Sequence, residues 1–187
     1  MRSALFAAAL SLTLAGCALS PQSITLAPTI QPGQFAAQGQ IVSIQVEDRR
    51  PSPIIGTRGG VYPKTSTLSL NNNLNTTLSN SLARTMQQMG FRIAPPGQGD
   101  ANLTVIIDQL TYDSGVKNLL TTVDLATSVR VVASRSNYNY TGRYQSEKHH
   151  EFVRKPNEET NQQIINELFS ETLSRAFRDP KLIQALQ

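Results

Sequence analysis

Apolar and polar residues alternate from Ile41 to Glu47: Val42, Ile44 and Val46 are apolar, and Ser43, Gln45 and Glu47 are polar. A period of two is that of a half-buried strand. Asp48-Arg49-Arg50-Pro51 ends it, and Pro51, Pro53, Gly56, Gly59 and Gly60 predict an irregular loop to about Pro63. Thr65 to Leu70 fits either a short strand or the lead-in to a helix. Beyond it the period changes. Leu70, Leu74, Leu78, Leu82 and Met86 recur every four residues, and Met89 extends the row. That spacing places them on one face of a helix. Asn72 or Asn73 would cap its start, and Gly90 would stop it.

Phe91 to Ala94 reads as a short strand closed by Pro95-Pro96-Gly97. Ala101 to Tyr112 reads as a longer one. Leu103, Val105 and Ile107 share one face, whereas Leu110 and Tyr112 have the other parity, so a bulge near Asp108 is expected. Asp113-Ser114-Gly115 then predicts a turn. From Leu119 to Arg135, Leu119, Val123, Leu125, Val129, Val131 and Ala133 are expected inside, with Asp124, Ser128 and Arg130 outside. Ser136-Asn137 predicts a tight turn into a strand over Tyr138 to Phe152. A last helix, from about Glu158 to Arg178, buries Ile165, Leu168, Phe169, Thr172, Leu173, Ala176 and Phe177. Asp179-Pro180 starts a final turn carrying Leu182, Ile183 and Leu186. The expected class is α+β: one mostly antiparallel sheet of four to five strands, with two helices on one face, in the order β-α-β-β-β-β-α. The first strand–helix–strand link would be a right-handed crossover.

The N-terminus has a different character. Arg2 precedes an apolar run, Ala4 to Leu14, and the small residues Ala15 and Gly16 precede the only cysteine, Cys17. The run is too short to span a bilayer, which takes about 20 residues. It has the layout of a cleaved signal peptide. Leu14-Ala15-Gly16-Cys17 resembles a bacterial lipobox, which implies cleavage between Gly16 and Cys17 and a lipid on Cys17 that holds the chain to a membrane. Ala18 stands where an aspartate would mark inner-membrane retention. Its presence favours the outer membrane, in the inner leaflet, facing the periplasm. Ala18 to Gln40 contains Pro21, Pro28, Pro32 and Gly33 and reads as a tether, extended by about 3 Å per residue where polyproline-like. Ile24, Leu26 and Ile30 leave open a second reading, in which this stretch docks on the domain. The expected division is therefore signal peptide 1–16, lipidated cysteine and tether 17–40, and a single domain 41–187.

The net charge is +4, and the positive residues are scattered. This supports a weak preference for anionic envelope material and gives no sign of a nucleic-acid partner. His149 and His150 are adjacent, so in a strand they point to opposite faces and make a poor metal site. No Gly-x-Ser-x-Gly elbow is present. The paired carboxylates Glu47-Asp48 and Glu158-Glu159 are sequence neighbours, whereas glycan hydrolysis needs two carboxyl groups about 5–9.5 Å apart across a cleft. Glu158 and Glu159 suit a helix N-terminus. The reading is no enzyme, no metal and no cofactor. Asp48 with Arg49 or Arg50 would order the strand end by a hydrogen bond or ion pair, or else form a partner contact beside the 51–63 loop. Tyr138, Tyr140 and Tyr144 share strand parity. They either pack on the core or form an exposed aromatic stripe near Arg143, suited to a glycan or a protein.

Several segments taken in order resemble the YajG family of bacterial lipoproteins. They are the lipobox, Ala27-Pro28-Thr29-Ile30, Val42-Ser43-Ile44 leading to Asp48-x-Arg50, and Leu82 to Phe91. Further along are Ala101 to Ile106, Gln109-Leu110, Asn161 to Leu173 and Asp179 to Leu186. The resemblance spans nearly the whole chain. It implies an outer-membrane lipoprotein and supplies no catalytic residues. Together these features predict a noncatalytic, lipid-anchored envelope lipoprotein that binds a protein partner or assists assembly. The alternative is a lipid- or glycan-binding component of envelope transport or cell-wall maintenance.

Overall fold

Strand β6 (Ala101–Lys117) is the axis of the structure, a computed structural model describing residues 19–136 and 138–187. Gly16 and Cys17 lie outside the described residues. β6 pairs along its length, antiparallel, with β7 (Leu120–Arg135), and β7 pairs antiparallel with β8 (Tyr138–Phe152). Two groups of strands share the other edge of β6. β2 (Ile41–Asp48) lies parallel to its first half, and β5 (Arg92–Ala94) lies parallel to β2. Farther along, β3 (Ile54–Thr57) meets β6 at Tyr112, followed outward by β4 (Thr67–Leu70) and β1 (Gln22–Ile24).

The fold is thus α+β, but the sheet is mixed and has eight strands rather than four or five. Among the described residues there are three α-helices rather than two, giving the order β-β-β-β-α-β-β-β-β-α-α. The added strands β1, β3 and β4 have only three or four residues each, too few to establish a period among glycines and prolines. The third helix is the expected final turn, prolonged over Pro180–Leu186.

The long hairpin corrects another expectation. β6 runs straight through Asp113-Ser114-Gly115, and the chain reverses at Asn118 and Leu119, whose φ angles are 49° and 66°. Positive φ at both central residues matches the twist of a two-residue hairpin. Leu119 therefore sits on the turn and is 94% exposed instead of buried. The bulge does occur: the register shifts between Ile107 and Gln109, leaving Asp108 as the extra residue. It returns Leu110 and Tyr112 to the face of Leu103, Val105 and Ile107, and all five are buried. Ser128, expected outside, is buried, and its hydroxyl has no hydrogen-bond partner.

All three helices cover that same face. In α1 (Leu74–Gln88) the Asn73 side chain accepts from the Thr76 N–H at 3.0 Å, and Leu74, Leu78, Leu82 and Met86 are buried. Gly90 ends this helix with φ +92°, and a Cβ there would lie 2.6 Å from the Ala37 carbonyl oxygen. In α2 (Glu158–Phe177) Asn157 accepts from Thr160 N–H at 2.8 Å, and the buried stripe includes every residue expected of it. Asp179 caps α3 (Pro180–Leu186) through Lys181 N–H at 2.9 Å.

Of the two readings of the N-terminal stretch, the structure shows docking. From Gln22 to Ile30 the even-numbered residues are buried and the odd-numbered ones exposed, a strand-like alternation. Ile24 and Leu26 are completely buried in the core. The backbone N–H groups of Thr25, Ala27, Thr29 and Gln31 donate in turn to Gln162, Asn166, Ser170 and Ser174 of α2, at 2.7–3.0 Å. A four-residue spacing on a helix keeps acceptors on one flank, and here that flank follows an extended chain. On the opposite side, Asn72 both accepts from Leu26 N–H (3.1 Å) and donates to its carbonyl (2.7 Å). Pro28, with no N–H to satisfy, is the next buried residue on that side. Side chains on both flanks thus meet five of the strap's backbone N–H groups. Farther on, Gly33 N–H donates to Phe177 O, and Ala37 N–H to Met89 O.

Candidate functional site

The helices leave the outer face of the sheet bare, and charged residues gather there. Asp108, pushed outward by the bulge, accepts from Arg130 Nη2 at 2.7 Å, and Arg143 of β8 approaches it at 3.8 Å. The hydrogen bond and the charge of Asp108 hold the Arg130 guanidinium pKa above its ordinary value. Nearby on the same face, Arg49 pairs with Glu47 at 2.7 Å. His149 meets Asp124 at 2.6 Å and Glu151 at 3.5 Å. The hydrogen bond to Asp124, then that to Glu151, raises the His149 pKa. Every one of these charges is paired and partly exposed. The face is a ladder of surface ion pairs, whose individual worth is about 0–1 kcal/mol.

The Asp48 and Arg50 pair is geometrically different. Arg50 donates through Nε and Nη2 to both oxygens of Asp48, and its backbone N–H reaches the same carboxylate. Its side chain is only 5% exposed, and Nη1 is buried without a partner. Asp48 and Arg50 therefore order the strand end, while Arg49 points to Glu47.

The tyrosines do not form an exposed stripe. Tyr140 and Tyr144 face inward, under α3. Both hydroxyls donate to Asp179 Oδ2 at 2.8 Å and lie 2.9 Å from each other. A Cβ on Gly142 would come within 2.6–2.7 Å of both hydroxyls, so the bare backbone between the tyrosines makes room for the cluster. Tyr138, at the start of the strand, is 51% exposed. Arg143 projects to the other face. The cluster is a clasp between β8 and α3, with Asp179 at once helix cap and hydrogen-bond acceptor. Burial, followed by contact with Tyr140 and Asp179, raises the Tyr144 pKa, and burial likewise raises Tyr140. Burial would raise Asp179, but the two tyrosine hydroxyls and Lys181 outweigh it and leave its pKa lowered. Tyr112, which bonds Asn161 at 3.0 Å, is pushed up by burial to about 12.

These shifts give a pH dependence with a definite sign. The three tyrosines hold their protons more tightly when folded than when unfolded, where the value is near 10.0. Their contribution to stability is complete below that value and is lost as pH rises beyond it. The denaturant midpoint should fall between about pH 9 and about pH 11, and Tyr144→Phe should flatten that fall. A midpoint unaffected by pH over this range would mean that the clasp is open in solution.

Among the described residues, no group of three or more His, Cys, Asp or Glu side chains is arranged to hold a metal. His149 faces out, whereas His150 stacks on Phe152 with ring centroids 6.0 Å apart. A groove of about 620 Å³ runs between the strap and the outer side of α2. Thr29, Gln163, Glu167, Glu171 and Arg175 are among its lining residues. It is open to solvent and lined mostly by polar and charged residues, unlike the enclosed apolar cavity that a lipid needs. Among the described residues no helix is long and apolar enough to cross a membrane.

Residues 28–187 match a family model described as an uncharacterized lipoprotein, and the chain belongs to that family. The chain is 25% identical over 174 residues to the uncharacterized lipoprotein YajG of Escherichia coli strain K12, covering 90% of this chain and 88% of that protein. The YajG of Escherichia coli O6:H1 strain CFT073 gives the same identity and coverage. The crystal structure of protein XCC0632 from Xanthomonas campestris superimposes with a TM-score of 0.55 at 12% identity, covering 88% of this chain and 95% of that one. The structural likeness establishes the fold only.

Proposed function

We propose that the protein is a noncatalytic envelope lipoprotein, fixed by lipid on Cys17 to the inner leaflet of the outer membrane, that binds a protein partner in the periplasm. Membership of a lipoprotein family supports the anchor, and Ala18 after the cysteine supports the outer membrane. The observation that carries the partner-binding role is the bare outer face of the sheet. Four adjacent strands present Glu47, Asp108, Arg130 and Arg143 there without any described element covering them. A solvated sheet face with charges of both signs in fixed positions offers register and selectivity to a charged partner. The open groove beside α2, lined mostly by polar residues, supports this reading over an internal lipid site.

Photo-crosslinking in intact cells tests it. A photoreactive residue in place of Gln145, which is exposed beside Arg143, should yield a discrete protein adduct. The same residue in place of Gln163, exposed on α2, should not. A diffuse smear at both positions, or an adduct only at position 163, would overturn the assignment of the sheet face.

A further inference from the structure

One end of the domain combines apolar side chains, positive charge and the exit of the N-terminal chain. Among the described residues seven large apolar ones are exposed by about half or more, and five of them lie on three neighbouring chain segments: Val61, Tyr62, Val116, Leu119 and Val153. Leu119 is 94%, Val153 84% and Val61 76% exposed. Strand pairing brings these segments together. Val116 lies opposite Thr121, which lies opposite Phe152, the residue before Val153. The loop after β3 closes on the same end. A Cβ on Gly59 would sit 3.0 Å from the Ser114 carbonyl oxygen, and Lys155 Nζ donates to Arg58 O at 2.9 Å. Residues 58–64, 116–120 and 153–155 contain Arg58, Lys64, Lys117, Arg154 and Lys155, and no carboxylate.

The N-terminal chain leaves from this patch. Arg58 Nη1 donates to Ser20 O at 3.0 Å, and a Cβ on Gly60 would lie 3.3 Å from Leu19 Cδ1. Cys17 is two residues before Leu19, and two residues span at most about 7 Å. With the strap folded onto the domain from Gln22 onward, little chain remains to hold the body away from its anchor.

We propose that this end of the domain is a membrane-binding surface, with Val61, Tyr62, Leu119 and Val153 entering the headgroup region of an anionic bilayer and the exposed Lys64, Lys117 and Arg154 meeting lipid phosphates. The inference rests on the reading that Cys17 carries the lipid. It changes what that anchor does: the domain lies on the membrane in one orientation instead of standing off on a tether. Partly inserted apolar tips combined with basic residues are the two components of interfacial binding, and tyrosine favours the headgroup level. Such an orientation puts the polar end of the sheet, with Tyr138, on the far side.

The chain has no tryptophan, so one introduced tryptophan reports on its own position. The mature lipidated protein carrying Val61→Trp or Val153→Trp is reconstituted into vesicles of phosphatidylethanolamine and phosphatidylglycerol with brominated acyl chains. Both reporters should lose at least about half of their fluorescence, as expected for side chains about 5–10 Å into the interface. Tyr138→Trp should keep its own. Protein that floats with the vesicles while neither reporter is quenched, or with Tyr138→Trp quenched equally, overturns the proposal and leaves the anchor intact. Protein that does not float overturns both. A spectral shift that grows with protein concentration in the absence of lipid would assign this face to a second copy of the chain and overturn the proposal.

Discussion

A protein truncated to residues 38–187 is expected to lose cooperative folding and aggregate, whereas residues 19–187 without lipid fold to a soluble domain. Removing residues 19–37 takes out Ile24, Leu26 and Ile30, which are 0%, 0% and 7% exposed. Burying a side chain of this size contributes about 1.5–3 kcal/mol. The deletion also spares the cost of ordering the strap, about 1–2 kcal/mol per residue, so the loss of these three side chains does not by itself decide the outcome. What decides the outcome is the surface left behind. The core under the strap would meet water. Gln162, Asn166, Ser170 and Ser174 would lose their backbone partners. β4 would lose β1 and become a bare edge, a template for pairing between chains. Domain stabilities are only about 5–15 kcal/mol, too little to absorb that exposure. Urea titration with light scattering distinguishes the outcomes. A sharp, reversible transition for residues 38–187 close to that of residues 19–187 would show that the strap is an ornament on an independent fold.

The two stripes that span several turns were legible from sequence alone. Leu74, Leu78, Leu82 and Met86, and Ile165 through Phe177, repeat often enough for the helical period to stand out. The bulge at Asp108 was legible for a similar reason, because a long strand reveals a parity change. The strap was misleading because prolines and glutamines dominate its composition. Its signal was the alternation of Ile24, Leu26, Pro28 and Ile30, together with the four-residue row Gln162, Asn166, Ser170 and Ser174. Neither row alone indicates docking; they acquire meaning as a pair of complementary flanks 137–143 residues apart. The same distance problem hid the clasp. Tyr140 and Tyr144 showed their parity, but Asp179, 35–39 residues away, read only as a helix cap. The exposed end was hidden by the misplaced turn: with the reversal drawn at Asp113-Ser114-Gly115, Leu119 falls inside a strand. The ion pairs of the outer face depend on register across β6, β7 and β8, which the bulge shifts by one residue.

The central claim is that Cys17 fixes this domain to a membrane, and replacing it with serine should have the largest effect in the cell. A thioether-linked diacylglycerol cannot form on a serine hydroxyl. The signal peptide would then lack the modified cysteine at which it is cut. The contrast in membrane affinity is large because each buried methylene contributes about 0.8 kcal/mol, and stable anchoring needs more than one chain. The domain's own end surface, with a few apolar tips, cannot replace that. The most direct measurement is metabolic labelling with a radioactive fatty acid, followed by recovery of the protein and separation of membrane and soluble fractions. The wild-type chain is predicted to carry label and to remain with the outer membrane, and Cys17→Ser to carry none and to leave it. Equal labelling of the two chains would contradict the account.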